Sequence, residues 1–385
     1  MSGTARVLIR ASLSVATFAA SCAFAHAQEE PKVSFTDPED GAFDLSQYLA
    51  TRRGFLPVPL VITEPAVGYG GGLGLLFIHD KPVDANGKEA EGPPSITGVF
   101  GGYTESDSWF GGIGHFGVWD DDHWRYTGLL GRGHANLEFN GIGGDDAGTL
   151  GQPELDYTLD GIFLRQQLLR KVAETPLFLG LRYEFATTEV DFDSGVPVVD
   201  SANFDRQDGG LAAVAQFDTR DSIFTPNRGV NAVVTAYQYD EAFGGDKSYN
   251  RLEIDSPMWW PLDPSLVLGV RPTATFVDDD APFYALPYVE LRGVPVLRYQ
   301  GHAAASLEAE LRWNFVRRWA LVGFGGLGQA VDHPSDFGGE SYTVTAGGAG
   351  MRYMIASKHG LHVGIDVARG PEDWAVYLQI GSAWH

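Results

Sequence analysis

The chain has 385 residues and a strongly acidic balance, with 50 Asp and Glu residues against 27 Lys and Arg residues and a formal net charge of −23. This balance argues against a nucleic-acid partner, because nucleic acids select basic surfaces. Cysteine occurs once, at Cys22, so neither a disulfide framework nor a cysteine metal site is expected. The 49 glycines exceed the usual share of about 7%.

The first 27 residues have the pattern of a secretory signal peptide. Arg6 and Arg10 precede a mostly apolar stretch over residues 13–24, and Ala25-His26-Ala27 is an A-x-A cleavage site. We therefore expect export and exclude residues 1–27 from fold reasoning. Acylation of Cys22 is an alternative, but the preceding residues make a poor lipobox.

Residues 28–54 form a polar lead-in that contains one helical pattern. Asp44 can cap a helix N-terminus with Gln47 as the capping-box partner, while Arg52 and Arg53 suit the C-terminal end and Gly54 the stop. The spacing predicts a short helix over 44–54. This helix either braces the periplasmic mouth of the fold or lies on its own in the periplasm.

The remaining chain shows a two-residue hydrophobic period. Between Ala304 and Phe315, one alternate set contains Glu308, Glu310 and Arg312, and the other set is wholly apolar. A strand with this pattern has one polar face and one apolar face. About 16 such strands are predicted, at 55–63, 66–79, 95–104, 108–119, 123–137, 155–168, 176–190, 209–218, 229–240, 247–256, 265–276, 304–315, 319–330, 342–355, 360–368 and 374–384.

Beyond residue 27, the sequence has no run of 18 apolar residues, so no transmembrane helix is expected. A strand-rich, exported chain can still cross a bilayer as a closed barrel. We predict an all-β fold: one transmembrane antiparallel β-barrel over residues 55–385, in the bacterial outer membrane.

The predicted connections fall into a short set and a long set on opposite ends. The long set, on the external end, is 139–154, 191–208, 277–303 and 331–341, whereas short turns such as 120–122 and 317–318 are on the periplasmic end. The connection 80–93 breaks this rule, since it is long and lies at the short-turn end.

Two segments contain sequence motifs in addition to the alternating pattern. Phe217-Asp218-Thr219-Arg220-Asp221 begins a turn that continues through Pro226 to Gly229, and Leu291-Arg292-Gly293 lies in the longest loop. Together they resemble the F-D-x-R-D turn and the V/L-R-G-F/Y loop motif of the BamA/TamA superfamily, the bacterial surface antigen barrels. The resemblance covers roughly residues 55–385, and five strands follow the loop motif, as in that family.

The resemblance implies that the loop folds into the barrel lumen and that Arg292 pairs with acceptors on the inner wall. The family's wall strand carries an acid at the position where this chain has Gly326. By alternation, the nearest lumen-facing carboxylates are Glu308 and Glu310, and we expect Arg292 to pair with one of them. Asp218, Arg220 and Asp221 are expected to stabilise the periplasmic turn through a local ion pair and caps.

The resemblance also implies a function in protein or lipid insertion or translocation at the outer membrane. Residues 28–54 leave no room for POTRA domains, which puts client delivery in doubt. Expected partners are outer-membrane lipid and lipopolysaccharide, and unfolded client proteins or a periplasmic accessory protein.

The alternative function is a passive, porin-like diffusion channel, because the charged residues that face the lumen by alternation would suit a polar pore: Arg182, Glu184, Glu308, Glu310 and Arg312. No enzyme activity is expected: the sequence has no G-x-S-x-G string, and its histidines lack metal-ligand spacing. No catalytic, cofactor-binding or metal-binding residue is therefore predicted.

Overall fold

The structure, a computed structural model, describes residues 34–49, 55–62, 67–83, 87–139, 155–193, 204–339 and 343–384. The predicted signal peptide 1–27, Arg52, Arg53, Gly54 and most of the predicted loops 139–154 and 191–208 lie outside these residues. Within the described part, no helix has the length and apolar character needed to span a membrane.

The described residues form one short helix and a single antiparallel sheet. The helix is α1 (Ser46–Leu49), and short 3-10 turns lie at Glu241–Phe243, Phe283–Ala285, Pro334–Asp336 and Ser357–His359. The strands are β1 (Leu56–Ile62), β2 (Gly70–Ile78), β3 (Ile96–Thr104), β4 (Trp109–Trp119), β5 (Trp124–Phe139), β6 (Leu155–Lys171), β7 (Leu177–Asp193), β8 (Phe204–Asp218), β9 (Gly229–Tyr239), β10 (Tyr249–Asp255), β11 (Met258–Asp263), β12 (Leu266–Val277), β13 (Ala303–Val316), β14 (Trp319–Val331), β15 (Val344–Ala356), β16 (Leu361–Arg369) and β17 (Trp374–Ile380).

Strands β10 and β11 are two parts of one crossing. Both pair with β9 in the same register, Asp255 opposite Val233 and Met258 opposite Val230, and both pair with β12. Pro257 separates them because proline has no backbone N–H for the ladder. The predicted gap between the strands at 247–256 and 265–276 was therefore wrong, because β11 fills it. The 17 strands make 16 crossings. The predicted fold class, an all-β antiparallel barrel of about 16 strands with a short N-terminal helix, is confirmed.

The sheet closes on itself. Each crossing pairs with the next along the chain, and β1 lies beside β17. The described parts of these two strands form no hydrogen-bonded ladder with each other. We call this junction the seam.

The two faces of the sheet differ as the alternation predicted. On β13, Glu308 is 5% exposed and Arg312 4%, whereas Leu307 is 45% exposed and Leu311 42%. In a closed sheet the buried face points inward, so we call the face of Glu308 the inner face and the face of Leu307 the outer face.

Exposed aromatic residues mark both ends of the outer face. Trp119, Trp313 and Trp319 lie near one end, and Tyr103 and Trp109 near the other, where Trp374 also lies. Such belts occur where a barrel surface passes from hydrocarbon to head groups. We call the two ends of the barrel the short-turn end and the long-loop end. The short-turn end carries the connections 120–123, 172–176, 264–265, 317–318 and 357–360.

The N-terminal segment 34–49 docks at the short-turn end. Arg318, in the turn between β13 and β14, donates hydrogen bonds to the carboxylates of Asp37, Asp40 and Asp44 over 2.5, 2.6 and 2.8 Å. Leu45 and Leu49 pack in a buried cluster that includes residues of β1, β15 and β16. The segment therefore braces this end of the barrel.

The predicted helix cap is only partly correct. Asp44 accepts a hydrogen bond from the Ser46 backbone N–H, as a capping residue does. Gln47 accepts a hydrogen bond from the Ser34 N–H instead of returning to Asp44, so the predicted capping box is absent.

The last strand is shorter than predicted. β17 ends at Ile380, and residues 381–384 turn away from the sheet. Gly381 adopts a φ of +77°, and Ser382 donates to the Phe224 carbonyl. Trp384 is buried against Trp259 and Val267. We call residues 381–384 the tail.

The outer face makes a direct prediction for Leu307→Lys. An ammonium group on this surface would lie in hydrocarbon, so the free energy of unfolding should fall by about 2–4 kcal/mol. Urea unfolding in phospholipid vesicles, followed by tryptophan fluorescence, measures it. Thr275→Lys, on the inner face of β12, is the control and should cost much less; equal losses would contradict the assignment of faces.

Docking of segment 34–49 should weaken in acid. Burial tends to raise the pKa of Asp44, but hydrogen bonds from Ser46, Arg318 and Ser357 outweigh it and hold the pKa well below its ordinary value. A carboxylate with a depressed folded pKa stabilises the folded state above its unfolded pKa of about 3.9, and this contribution is lost as the pH falls toward the folded pKa.

A nitroxide at Pro38→Cys should therefore report an immobile segment at neutral pH and growing mobility below about pH 4. In Asp44→Asn the segment should already be more mobile at neutral pH, with a weaker response to acid. Unchanged mobility of the native segment down to pH 2 would contradict the role given to Asp44.

Candidate functional site

The loop between β12 and β13 packs tightly on the inner face of β14. A Cβ atom at Gly326 would lie 2.6 Å from Leu291 Cδ2, and one at Gly328 would lie 2.5 Å from Val289 Cγ1. Both positions need glycine because the loop lies too close to β14 for a Cβ atom. Gly326, where the resembling family has an acid, is thus the contact surface for Leu291.

Arg292 lies among three carboxylates. Its guanidinium is 2.6 Å from Glu308 Oε1, 2.8 Å from Glu310 Oε2 and 2.8 Å from Asp366 Oδ2. It also lies over the ring of Phe324, 3.7 Å from the centroid. Only 9% of the side chain is exposed. The structure thus places Arg292 against both acids that alternation singled out, and against one more.

The further acid, Asp366, is fully buried on β16. It accepts hydrogen bonds from Arg352 over 2.5 and 2.8 Å as well as one from Arg292. A Cβ at Gly350 would lie 1.8 Å from the Asp366 carboxylate, so glycine is required beside it. We call Arg292, Glu308, Glu310, Arg352 and Asp366 the arginine cluster.

Sequence reasoning missed Asp366 as a partner of Arg292. Alternation places Asp366 on the polar face of its strand, together with His362. The sequence pattern does not show which side chains meet across the barrel interior. β13 and β16 do not pair, because two strands separate them.

Gly293 and Trp384 link the cluster to the end of the chain. The backbone N–H of Gly293 donates to the Tyr377 hydroxyl on β17, and Gly293 has a φ of +93°. The indole N–H of Trp384 donates to Glu308 over 2.8 Å. The loop, the tail and the last strand therefore share one hydrogen-bonded network.

The turn motif forms a second charged group, at the short-turn end. The guanidinium of Arg220 donates two hydrogen bonds to Asp218, over 2.9 and 3.0 Å, and the guanidinium of Arg125 on β5 donates another over 2.6 Å. Asp221 accepts from the backbone N–H of Asn227 over 3.0 Å. These contacts fix the turn between β8 and β9.

Pro226 and Gly229 have different parts in this turn. The Pro226 carbonyl accepts a hydrogen bond from Arg312 of β13 over 2.8 Å, so the turn reaches the inner face of a distant strand. Gly229 has a φ of +106°, and a Cβ there would lie 2.3 Å from the Thr219 carbonyl oxygen. Glycine at 229 is therefore a geometric requirement.

Chemically, both groups are networks of ion pairs and hydrogen bonds. In the described ranges no three His, Cys, Asp or Glu side chains are grouped to hold a metal ion. Networks of this kind hold chain segments in one position, since an arginine separated from its buried acceptors leaves uncompensated charge.

No family model and no curated protein matches the sequence. Solved structures do match the fold. BamA from Haemophilus ducreyi lacking POTRA domains 1–3 has 12% identity and a TM-score of 0.54, over 84% of this chain and 67% of that one. CdiB from Escherichia coli has 12% identity and a TM-score of 0.58, over 84% and 61%. CdiB from Acinetobacter baumannii has 10% identity and a TM-score of 0.54, over 85% and 59%.

At these identities the likeness shows the fold alone: the chain folds as the barrel of BamA and CdiB. The predicted likeness to a BamA/TamA-type barrel is confirmed at that level. This chain spans less than two thirds of either CdiB structure.

Arg292→Ala should destabilise the barrel by about 3–5 kcal/mol, because it leaves buried carboxylates without their counter-charge. Arg298→Ala is the matched control in the same loop, since Arg298 pairs with Glu372 and both side chains are about one third exposed; it should cost at most about 1 kcal/mol. Urea unfolding in vesicles measures both. Equal, small losses would mean that Arg292 is not held as the distances indicate.

Proposed function

We propose that this protein is an outer-membrane barrel of surface-antigen type that inserts or translocates protein or lipid, with its long external loop closing the lumen. The single observation that carries the proposal is Arg292, buried among carboxylates of β13 and β16. A simple pore has no need of a loop held on its wall by charges that require mutual compensation.

A second obstruction lies at the short-turn end and supports the same proposal. The turn between β8 and β9 reaches Arg312, and the Phe224 carbonyl in that turn accepts from Ser382 of the tail. Segment 34–49 packs on the same end. A lumen obstructed at two levels favours a gated function over free diffusion.

The proposal includes the compartment and partners expected from the sequence. The protein is exported with a cleaved signal peptide, lies in the bacterial outer membrane and contacts lipid and lipopolysaccharide. Its clients are unfolded proteins or lipids, received directly or from a periplasmic accessory protein. The proposal assigns it no enzymatic activity. The BamA and CdiB fold supports this general kind of function.

The alternative is a passive diffusion channel, and one observation favours it. Arg165, Arg182, Glu184 and Glu253 form a charged group on the inner face of β6, β7 and β10. Such charges also line water-filled pores.

Conductance separates the two functions. Purified protein in planar bilayers should conduct little and intermittently, and deletion of residues 285–301 should produce a large, steady current. Arg292→Ala should move in the same direction, and Arg298→Ala should remain closed. A large, steady current from the native protein, unchanged by the deletion, would establish the diffusion channel instead.

Depletion in the host complements this measurement. Loss of the protein should lower the amount of specific outer-membrane proteins or lipids, and the native gene, but not the Arg292→Ala variant, should restore them. An unchanged outer-membrane proteome and lipid profile would rule out insertion or translocation as the function.

A further inference from the structure

The inner face is divided into a charged part and an apolar part. Strand register traces it around the barrel, because residues directly opposite in a ladder lie on one face. Arg165 on β6 is opposite Glu184 on β7 and Leu129 on β5. Leu129 is opposite Gly114 on β4. The face is thus charged at β6 and β7 and becomes apolar toward β2.

This apolar part contains an open cleft of about 470 Å³ toward the long-loop end. Its volume is in the range of about 300–1,000 Å³ that is typical of small-molecule sites. The apolar inward-facing side chains that line it include Phe100, Phe110, Leu129, Ala135, Leu159 and Phe163, and the polar Thr104 and Thr188 line it as well.

Two glycines let the rings of Phe100 and Phe110 pack against the backbone of the cleft wall. A Cβ at Gly102 would lie 2.7 Å from the Phe110 ring, and one at Gly112 would lie 2.7 Å from the Phe100 ring. Each ring therefore lies directly over a glycine of the neighbouring strand. Phe110 is still 36% exposed, so its outer surface is available for contact.

We propose that this cleft binds an acyl chain of a membrane lipid, which enters through the seam. The inference deepens the proposed function, on which it rests, by naming the lipid chain as a substrate class.

The backbone of the cleft decides between a lipid and a peptide. Strands β3 to β7, which form most of the cleft wall, each have a partner strand on both sides, so this part of the wall presents no free edge. An extended peptide on this wall would leave its own N–H and C=O groups without partners, which is costly in apolar surroundings. An acyl chain has no such groups.

The cleft is continuous with a route to the bilayer. Ile62, at the end of β1, lines the cleft, and β1 is one side of the seam. Pro57 and Pro59 on β1 have no N–H to donate to a ladder. Among the junctions between the described strands, the seam is the one without a ladder and should separate most readily, and it opens onto the hydrocarbon that contains acyl chains.

An ion pair lies next to the inner end of the cleft, between Arg165 and Glu184. Arg165 follows Phe163 on the inner face of β6, with its guanidinium 5.4 Å from the Phe163 ring centroid and 35% of its side chain exposed. The apolar groove therefore ends beside a compensated ion pair, and the acyl chain is the part of the lipid that the groove would recognise.

Photo-crosslinking of the full chain in vesicles tests this proposal. The vesicles contain phosphatidylethanolamine and phosphatidylglycerol, with a diazirine in the acyl chain of the phosphatidylglycerol, and mass spectrometry identifies the labelled residues. Label is expected on the inward-facing Phe100, Phe110 and Leu159 as well as on outward-facing residues such as Val99. Label on outward-facing residues alone would overturn the proposal.

Ala135→Trp fills the cleft and should lower the inward label about tenfold, because it displaces several methylene contacts. Ala236→Trp, on the outer face of β9, is the matched control and should leave it unchanged. Heat-modifiable migration and outward label show that each variant is folded; if Ala135→Trp does not fold, Ala186→Trp replaces it. Inward label that persists in the folded, filled variant would overturn the proposal.

An unfolded outer-membrane protein segment, added as a competitor, tests the rival occupant. Inward label that this peptide abolishes would assign the cleft to a polypeptide and overturn the lipid proposal, whereas label that persists supports it. The measurement needs neither client insertion nor channel closure. Inward label with normal outer-membrane profiles after depletion would retain the lipid site and reject the proposed function.

Discussion

The burial of one guanidinium is the constraint on which the interior of this barrel depends. Arg292 is removed from water, and its charge is compensated by Glu308, Glu310 and Asp366. These acids come from β13 and β16, which are separated by two strands, so the loop bridges a section of wall that backbone pairing alone does not connect. Removing the arginine would leave the acids buried together without their shared counter-charge, which is costly in a buried site. The loop is therefore held mainly by the free-energy penalty that uncompensated buried charges would cause if it moved away. No single contact needs to be strong.

Alternation predicted the strands and the inner face of β13, because a buried charged face and an apolar outer face leave a two-residue period in the sequence. It also placed Glu308 and Glu310 within reach of Arg292, since the loop leads directly into β13. It could not assign Asp366 to Arg292, because contact across non-neighbouring strands depends on barrel curvature. The β11 strand was missed for a local reason: Pro257 resembles a strand end, although the register continues past it. The inward turn of Trp384 follows from the contacts of Gly381 and Ser382 with Phe224, which the sequence does not reveal.

The short-turn end is closed by three chain segments that are distant in sequence. Segment 34–49 is held by Arg318, the turn after β8 by Asp218 and Arg220, and the tail by a hydrogen bond from Ser382 to that turn. Phe224 is common to all three, since its side chain packs against the cluster around Leu45 while its carbonyl accepts from Ser382. Displacing any one segment would expose part of the others. The three should therefore move together, because their contacts are shared.

The division of the inner face explains why the loop and the apolar cleft lie on different parts of that face. An arginine must remain where carboxylates face inward, and the described side chains on the inner face of β2 to β5 include no carboxylate. The two parts meet at the seam, since Tyr377 on β17 contacts the loop and Ile62 on β1 lines the cleft. Separation of β1 from β17 would therefore change both the position of the loop and the access to the cleft. Coupling of this kind needs no moving domain, because the same two strands form the side of each region.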